Sequence, residues 1–228
     1  KADYLLTFKP SGLCLESTQQ GGHGPIRCDF DSGTITHRRK YGGGNGQSIA
    51  KAVGISGKFM PHVLDLTAGM GSDGFVLAGL GCRLTLLERN SIVYSLLYDG
   101  LQRASLAGMG DSGLAEVVAR IDLLEADSLT YLQSLESAQL PDVIYIDPMF
   151  PARKKSAKVK KEMQVFHGIV GADEDAAELL VLALQRAKYR VVVKRSAAAG
   201  HLGEMAPSYS REGKTTRFDV YALHRLPS

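Results

Sequence analysis

Val63-Leu64-Asp65-Leu66-Thr67-Ala68-Gly69-Met70-Gly71-Ser72-Asp73-Gly74-Phe75 decides the fold: a short apolar run, a glycine-rich turn and the opening of a helical pattern. A buried strand that enters a helix through glycines suits a nucleotide-cofactor site, because glycine lets the backbone turn sharply and approach a ligand with no side chain between. Gly69 and Gly71 are the positions that matter. Alone, the G-x-G-x-x-G pattern also fits an ordinary turn or another cofactor. Asp65 narrows the choice, since it stands at the strand end four residues before the first glycine. Dehydrogenase fingerprints bring that glycine directly onto the strand, and an acid here suits a cationic ligand better than a pyrophosphate.

Downstream, short apolar runs rich in β-branched or leucyl residues recur at 63–66, 83–87, 121–124, 143–146 and 190–194, as in buried parallel strands. Helical patterns lie between them at 73–80, 91–107, 128–135 and 173–187, the last opening on acids that suit a helix N-terminus. This alternation predicts right-handed βαβ crossovers and an α/β, doubly wound, Rossmann-like sheet. The tail differs: 216–223 alternates like a strand and follows a turn at 211–214 with no helix between, so a C-terminal antiparallel strand is expected. Upstream, β-like runs at 4–8, 26–30 and 34–36 with Gly and Pro breaks predict a small strand-rich N-terminal subdomain over 1–45. The glycine-rich stretch 41–47 then separates it from a main domain over 46–228, which opens on a helical pattern at 48–53.

With 228 residues, 44% of them hydrophobic, the chain can bury a full core. Its longest apolar runs, such as 179–184, fall far short of a bilayer span, and no charged-then-apolar segment opens it, so a cytoplasmic enzyme without a membrane partner is expected. Lys1 rather than Met stands first, which leaves the natural start open. Cys14, Cys28 and Cys82 are odd in number and widely spaced, which fits reduced thiols, shows no zinc spacing and leads us to expect no metal. The net charge of +3 is modest, so RNA binding has to rest on where charge sits. Arg38, Arg39 and Lys40 form one basic knot, and Arg153, Lys154, Lys155, Lys158, Lys160 and Lys161 a denser one. Either also fits a solvated surface, but the second directly follows a candidate reactive loop, where cations would meet phosphates.

Ligands of a doubly wound sheet bind outside the carboxyl ends of its strands, so residues just past each predicted strand converge. The first strand leads to the glycine turn with Ser72 and Asp73, and the second to Glu88-Arg89-Asn90, nineteen residues beyond Gly69. A carboxylate there can accept charge-assisted hydrogen bonds from two ribose hydroxyls. The third leads to Asp127-Ser128, where an acid or its neighbouring backbone reaches an adenine amino group, although Asp127 serves equally as a bare helix cap. The fourth leads to Asp147-Pro148-Met149-Phe150-Pro151. Recognition of an exocyclic amino group on a flat base needs an acceptor, outward carbonyls and an aromatic face, which Asp147, the N–H-lacking Pro148 and Phe150 provide. The plainer alternative is a rigid proline turn with Phe150 in the core.

The ordered set Asp65-x-x-x-Gly69-x-Gly71, Glu88, Asp127 and Asp147-Pro148-x-Phe150 resembles the S-adenosylmethionine-dependent methyltransferases of the Rossmann-like class. Its last motif is similar to the acid-or-amide, Pro, Pro, aromatic tetrapeptide of the amino-group methyltransferases, with Met149 in place of the second proline. Four longer strings resemble the RsmJ family of bacterial small-subunit ribosomal RNA guanine-N2 methyltransferases, across about residues 26 to 223. They are His37-Arg38-Arg39-Lys40-Tyr41-Gly42-Gly43-Gly44, Leu87-Glu88-Arg89-Asn90, Asp147-Pro148-Met149-Phe150-Pro151 with Lys160-Lys161-Glu162-Met163, and Val191-Val192-Val193-Lys194-Arg195.

The resemblance implies S-adenosyl-L-methionine as cofactor and a guanine amino group of 16S ribosomal RNA, free or in the small ribosomal subunit, as acceptor. By motif position it implies Ser72 and Asp73 at the methionine end, Glu88 and Arg89 around ribose and adenine, and Asp127 and Ser128 beside adenine. A basic residue also fits the family at position 72, so backbone contact is expected there. Asp65, Gly69 and Gly71 complete the cofactor set, and Asp147, where donor and acceptor meet, joins Pro148 and Phe150 in the catalytic set. Arg38, Arg39, Lys154, Lys155 and Lys158 form the RNA-binding set. Residues 42–46 lack the Gly-Lys-Ser/Thr ending of a P-loop and suit a hinge beside the active site. His167, His201 and His224 show no spacing for a ligand set or general base and are expected as surface or capping residues. Two other classes compete: an NAD-dependent dehydrogenase using the same glycines and Glu88, and a non-catalytic RNA-binding module resting on the basic runs. The acid-Pro-x-aromatic loop and the terminal antiparallel strand count against the first.

Overall fold

The computed structural model describes residues 3–19, 24–30, 47–148, 175–213 and 215–227. Its strands are β1 (Tyr4–Lys9), β2 (Gly12–Ser17), β3 (His62–Asp65), β4 (Arg83–Glu88), β5 (Ile121–Glu125), β6 (Val143–Ile146), β7 (Arg190–Ser196), β8 (Tyr209–Glu212) and β9 (Thr216–Ala222). The helices are α1 (Ser48–Val53), α2 (Ser72–Gly79), α3 (Ser91–Ala107), α4 (Ser112–Val118), α5 (Ser128–Ser134) and α6 (Ala176–Arg186).

Strands β3 to β9 form a seven-stranded sheet in the order β5-β4-β3-β6-β7-β9-β8. The five strands β3 to β7 run parallel, while β9 pairs antiparallel with β7 and with β8, as the alternating tail predicts. Chain order reverses between β3 and β6, where Asp65 lies beside Leu86 on one side and Tyr145 on the other. That reversal opens a crevice at the carboxyl ends, the place where such sheets bind ligands.

Period-two alternation sends successive side chains to opposite faces, and both faces of the central strands are covered. Val63, Leu84, Leu86, Tyr145 and Val192 pack with Phe75 of α2 and Leu97 and Leu101 of α3. Leu64, Leu87, Ile144, Ile146 and Val193 pack with Leu132 of α5 and Leu179, Leu180 and Ala183 of α6. Strands with two buried faces read as unbroken apolar runs, which is why they stand out in the sequence. The β1–β2 hairpin joins the first layer through Leu15, which packs with Ile26 against Val93 and Leu96 of α3. Phe30 stacks on Phe75 with ring centroids 4.3 Å apart.

Several expectations need correction. The run at 26–30 forms only a bridge, Ile26 to Leu15, because the partner of β1 is the intervening segment β2. Residues 34–36 lie outside the described residues. Helix α4 was not expected: it is seven residues long, Asp111 caps it, and only Leu114 and Val117 bury an apolar face. Arg211 and Glu212 belong to β8 rather than to a turn, and that edge strand is exposed at all four positions, so it carries no apolar signal. Among the described residues no helix is long and apolar enough to cross a membrane.

Candidate active site

The crevice is built from backbone turns that only particular residues permit. Gly69 and Gly71 adopt φ of 53° and 69°, the left-handed region that L side chains avoid. A Cβ on Gly71 would lie 2.6 Å from Leu97 Cδ1, so this glycine lets the turn settle on α3. On Gly69, among the described residues, it would meet only the Thr67 carbonyl oxygen, at 3.9 Å, so none of them crowds the front of that residue. Glu88, at the end of β4, locks the turn: its Oε2 accepts from the Gly69 N–H at 2.9 Å and its Oε1 from the Asn90 N–H at 2.8 Å. Asn90 then caps α3 by accepting from the N–H groups of Ile92 and Val93.

Around the ends of β3, β6 and β7, three acids gather about one lysine. Lys194 Nζ lies 2.6 Å from Asp73 Oδ2 and 2.7 Å from Asp147 Oδ2. The Tyr145 hydroxyl donates to the same Asp73 oxygen at 2.8 Å. Asp65 is buried, and its Oδ1 accepts from the Thr67 N–H at 3.0 Å. Thr67 links the two halves of the site, because its hydroxyl accepts from the Asp147 N–H at 2.7 Å.

The electrostatics follow from that crowding. Burial pushes the Asp65 carboxyl up to about 7, the negative charges of Asp73 and Asp147 add to the rise, and the Thr67 N–H and Lys194 oppose it. Burial pulls the Lys194 ammonium down, but Asp147 and Asp73 outweigh it and hold the group above its ordinary value. The Tyr145 phenol is raised by burial and by the same carboxylates. Among the described residues no group of His, Cys, Asp or Glu has the disposition of a metal site.

The remaining predicted residues sit as follows. Asp127 accepts from the Thr130 N–H at 2.9 Å and caps α5, and that bond holds its carboxyl below the usual range. The Ser128 hydroxyl donates to the Leu66 carbonyl at 2.6 Å, pinning α5 to the end of β3. Arg89 lies 2.8 Å from Asp175 at the start of α6. Ser72 is the exposed first residue of α2, and Pro148 is buried behind the half-buried Asp147. Phe150, Arg38, Arg39, Lys154, Lys155, Lys158, His167 and the glycine-rich 42–46 lie outside the described residues. Sequence reasoning assigned no role to Thr67, Tyr145 or Lys194. The available signals were the cation pair Lys194-Arg195 ending the apolar run of β7 and the one hydroxyl-bearing residue in Val143-Ile144-Tyr145-Ile146. His201 is also more than a surface residue: its Nδ1 lies 3.1 Å from the buried Asp219, which Arg217 pairs at 2.7 Å.

A sheet in this order, with a glycine turn held by an acid on the adjacent strand and an acid-proline loop at the switch point, defines a Rossmann-like S-adenosylmethionine-dependent methyltransferase. Comparison with known proteins agrees. The family described as "Putative SAM-dependent methyltransferase" matches residues 1–223. The chain is 53% identical over 226 residues to the ribosomal RNA small subunit methyltransferase J of Cellvibrio japonicus, covering 99% of this chain and 85% of that one. It is 48% identical to the protein of the same name from Marinobacter nauticus, covering 98% and 79%. A crystal structure of a SAM-dependent methyltransferase from Neisseria gonorrhoeae superposes with a TM-score of 0.71 at 40% identity, covering 92% of this chain and 78% of that one. The chain belongs to the ribosomal RNA small subunit methyltransferase J family. These matches support neither a dehydrogenase nor a non-catalytic RNA-binding module.

Proposed function

We propose that this chain methylates the N2 amino group of a guanine in 16S ribosomal RNA, in the cytoplasm, using S-adenosylmethionine. The observation that carries the reading is the join between Asp147 and the glycine turn. Through Thr67, an acid-proline loop suited to an amino group is fixed to the strand that feeds the donor turn. The residues present fit the donor: no described side chain crowds the front of Gly69, and the Glu88 carboxylate is braced beside it. Glu88 and Arg89 would hold the ribose and adenine, Asp127 and Ser128 the far side of the adenine, and Ser72 and Asp73 the methionine end. When bound, S-adenosylmethionine supplies a methyl group already activated on a sulfonium sulfur.

The chain's task is then largely alignment. The guanine amino lone pair is delocalised into the ring, so acceptors on its hydrogens favour the pyramidal nitrogen that attacks. Asp147 and a carbonyl at Pro148 serve as those acceptors and stabilise the positive charge that develops on nitrogen. Phe150 would stack on a base lifted from the RNA fold, and Arg38, Arg39, Lys154, Lys155 and Lys158 would meet the flanking phosphates. The test is incubation of the purified chain with unmodified 16S RNA or small subunits and methyl-labelled S-adenosylmethionine, followed by mass spectrometry of the nucleosides. Labelled N2-methylguanosine is expected. Label on adenine N6 or cytosine N4 instead would overturn the guanine assignment.

A further inference from the structure

We infer that Lys194 is a positioning residue for the transfer: it holds Asp147 as an aimed carboxylate and ties the acceptor-side loop to the donor-side helix α2 through Asp73. The inference rests on the proposed methylation of an amino group. Lys194 ends the buried run of β7, and its ammonium reaches Asp73 Oδ2 at 2.6 Å and Asp147 Oδ2 at 2.7 Å. Holding one oxygen of Asp147 at that distance restricts rotation of the carboxylate about its Cβ–Cγ bond. Asp73 follows the glycine turn directly and also receives the Tyr145 hydroxyl at 2.8 Å, so the ammonium bridges the two sides of the crevice.

Charge gives the arrangement a second consequence. Asp147 faces Lys194 and Arg195 on β7, Asp73 on α2, Asp65 at the end of β3 and Tyr145 on β6. The Arg195 guanidinium donates to the Gly200 carbonyl, 2.8 Å away, whereas Lys194 is in direct hydrogen-bond contact with Asp147. Without it, Asp73 and Asp147 repel each other beside the buried Asp65, and protonation of one relieves the repulsion. A protonated Asp147 is a poorer acceptor for an amino hydrogen. Lys194 therefore extends the working range of Asp147 towards lower pH.

The experiment compares the parent with Lys194→Met, Lys194→Gln and Lys194→Arg. Carbon-13 spectra of aspartate-labelled, donor-free protein would follow the Asp147 carboxyl through pH, with Asp147→Asn assigning the signal. Single-turnover methylation rates across the same range give the second readout. In the neutral variants the Asp147 midpoint should rise by about one pH unit or more, and the acid limb of the rate profile should move with it. The rate near pH 7 should fall by about tenfold or more, and Lys194→Arg should recover most of the midpoint shift. A neutral variant that is folded by thermal unfolding and keeps the parent's Asp147 midpoint and profile shape overturns the role of Lys194, even if its overall rate is reduced. A parent that moves no methyl group from S-adenosylmethionine to ribosomal RNA overturns instead the function on which the inference rests.

Discussion

Gly69 and Gly71 share a left-handed backbone but answer to different neighbours. Gly71 faces Leu97 and Phe30, whereas no described side chain crowds Gly69, whose N–H is held by Glu88. An alanine at either position strains the backbone by about 1 to 2 kcal/mol. At Gly71 the added methyl also crowds the core, so Gly71→Ala should lose roughly 2 to 4 kcal/mol of stability. Gly69→Ala should lose only the backbone share, while its methyl intrudes where the donor would lie. Denaturant unfolding and calorimetry with S-adenosylhomocysteine separate the two. Gly69→Ala should weaken ligand binding by about tenfold or more, at smaller cost to folding. Parent-like affinity in Gly69→Ala would place the ligand elsewhere.

At the scale of elements, the end of β3 stores a cost that a titration can read. Asp65 is 3% exposed, and its carboxyl rises from an ordinary 3.8 to about 7 on folding. Between those values the folded chain holds a proton that the unfolded chain has released, so stability falls as pH rises through that window. The loss is on the order of 4 kcal/mol, complete above pH 7 and absent below about pH 4. In Asp65→Asn this slope should disappear. The variant should therefore gain on the parent by a few kcal/mol between pH 4 and pH 8 in denaturant midpoints. Curves that stay parallel over that range would show that Asp65 does not titrate there.

The same scale shows what the chain discloses before it folds. The boundaries expected for α1, α3 and β6 match those observed, because each carries a continuous apolar face or a fully buried run. Helix α4 and strand β8 escape notice because the first buries two side chains and the second none. Strand-end acids such as Glu88 and Asp147 are legible, since a parallel sheet sends all its carboxyl ends to one side. Lys194 is not, because its partners lie 121 and 47 residues away and are brought together only by the pairing of β7 with β6 and of β6 with β3. Asp127 shows a subtler ambiguity: capping α5 and serving a ligand demand the same acid at the same place.

For the whole molecule, two apolar layers clamp one sheet whose order reverses between β3 and β6, and the site gathers at that reversal. The hairpin of β1 and β2 lies against α3, the helix that Glu88 and Asn90 start, so the N-terminal strands bear on the donor side of the crevice. If the crevice modifies small-subunit RNA, the clearest record of its work is the RNA itself. The decisive measurement is mass spectrometry of 16S ribosomal RNA from cells lacking the native copy of this protein, rescued either by this chain or by its Asp147→Ala variant. One N2-methylguanosine should vanish in the deletion and return with the chain, while the variant, folded and present at equal level, should leave that guanine largely unmethylated. Full methylation in the deletion strain, or equal rescue by Asp147→Ala, would contradict the assignment of this site.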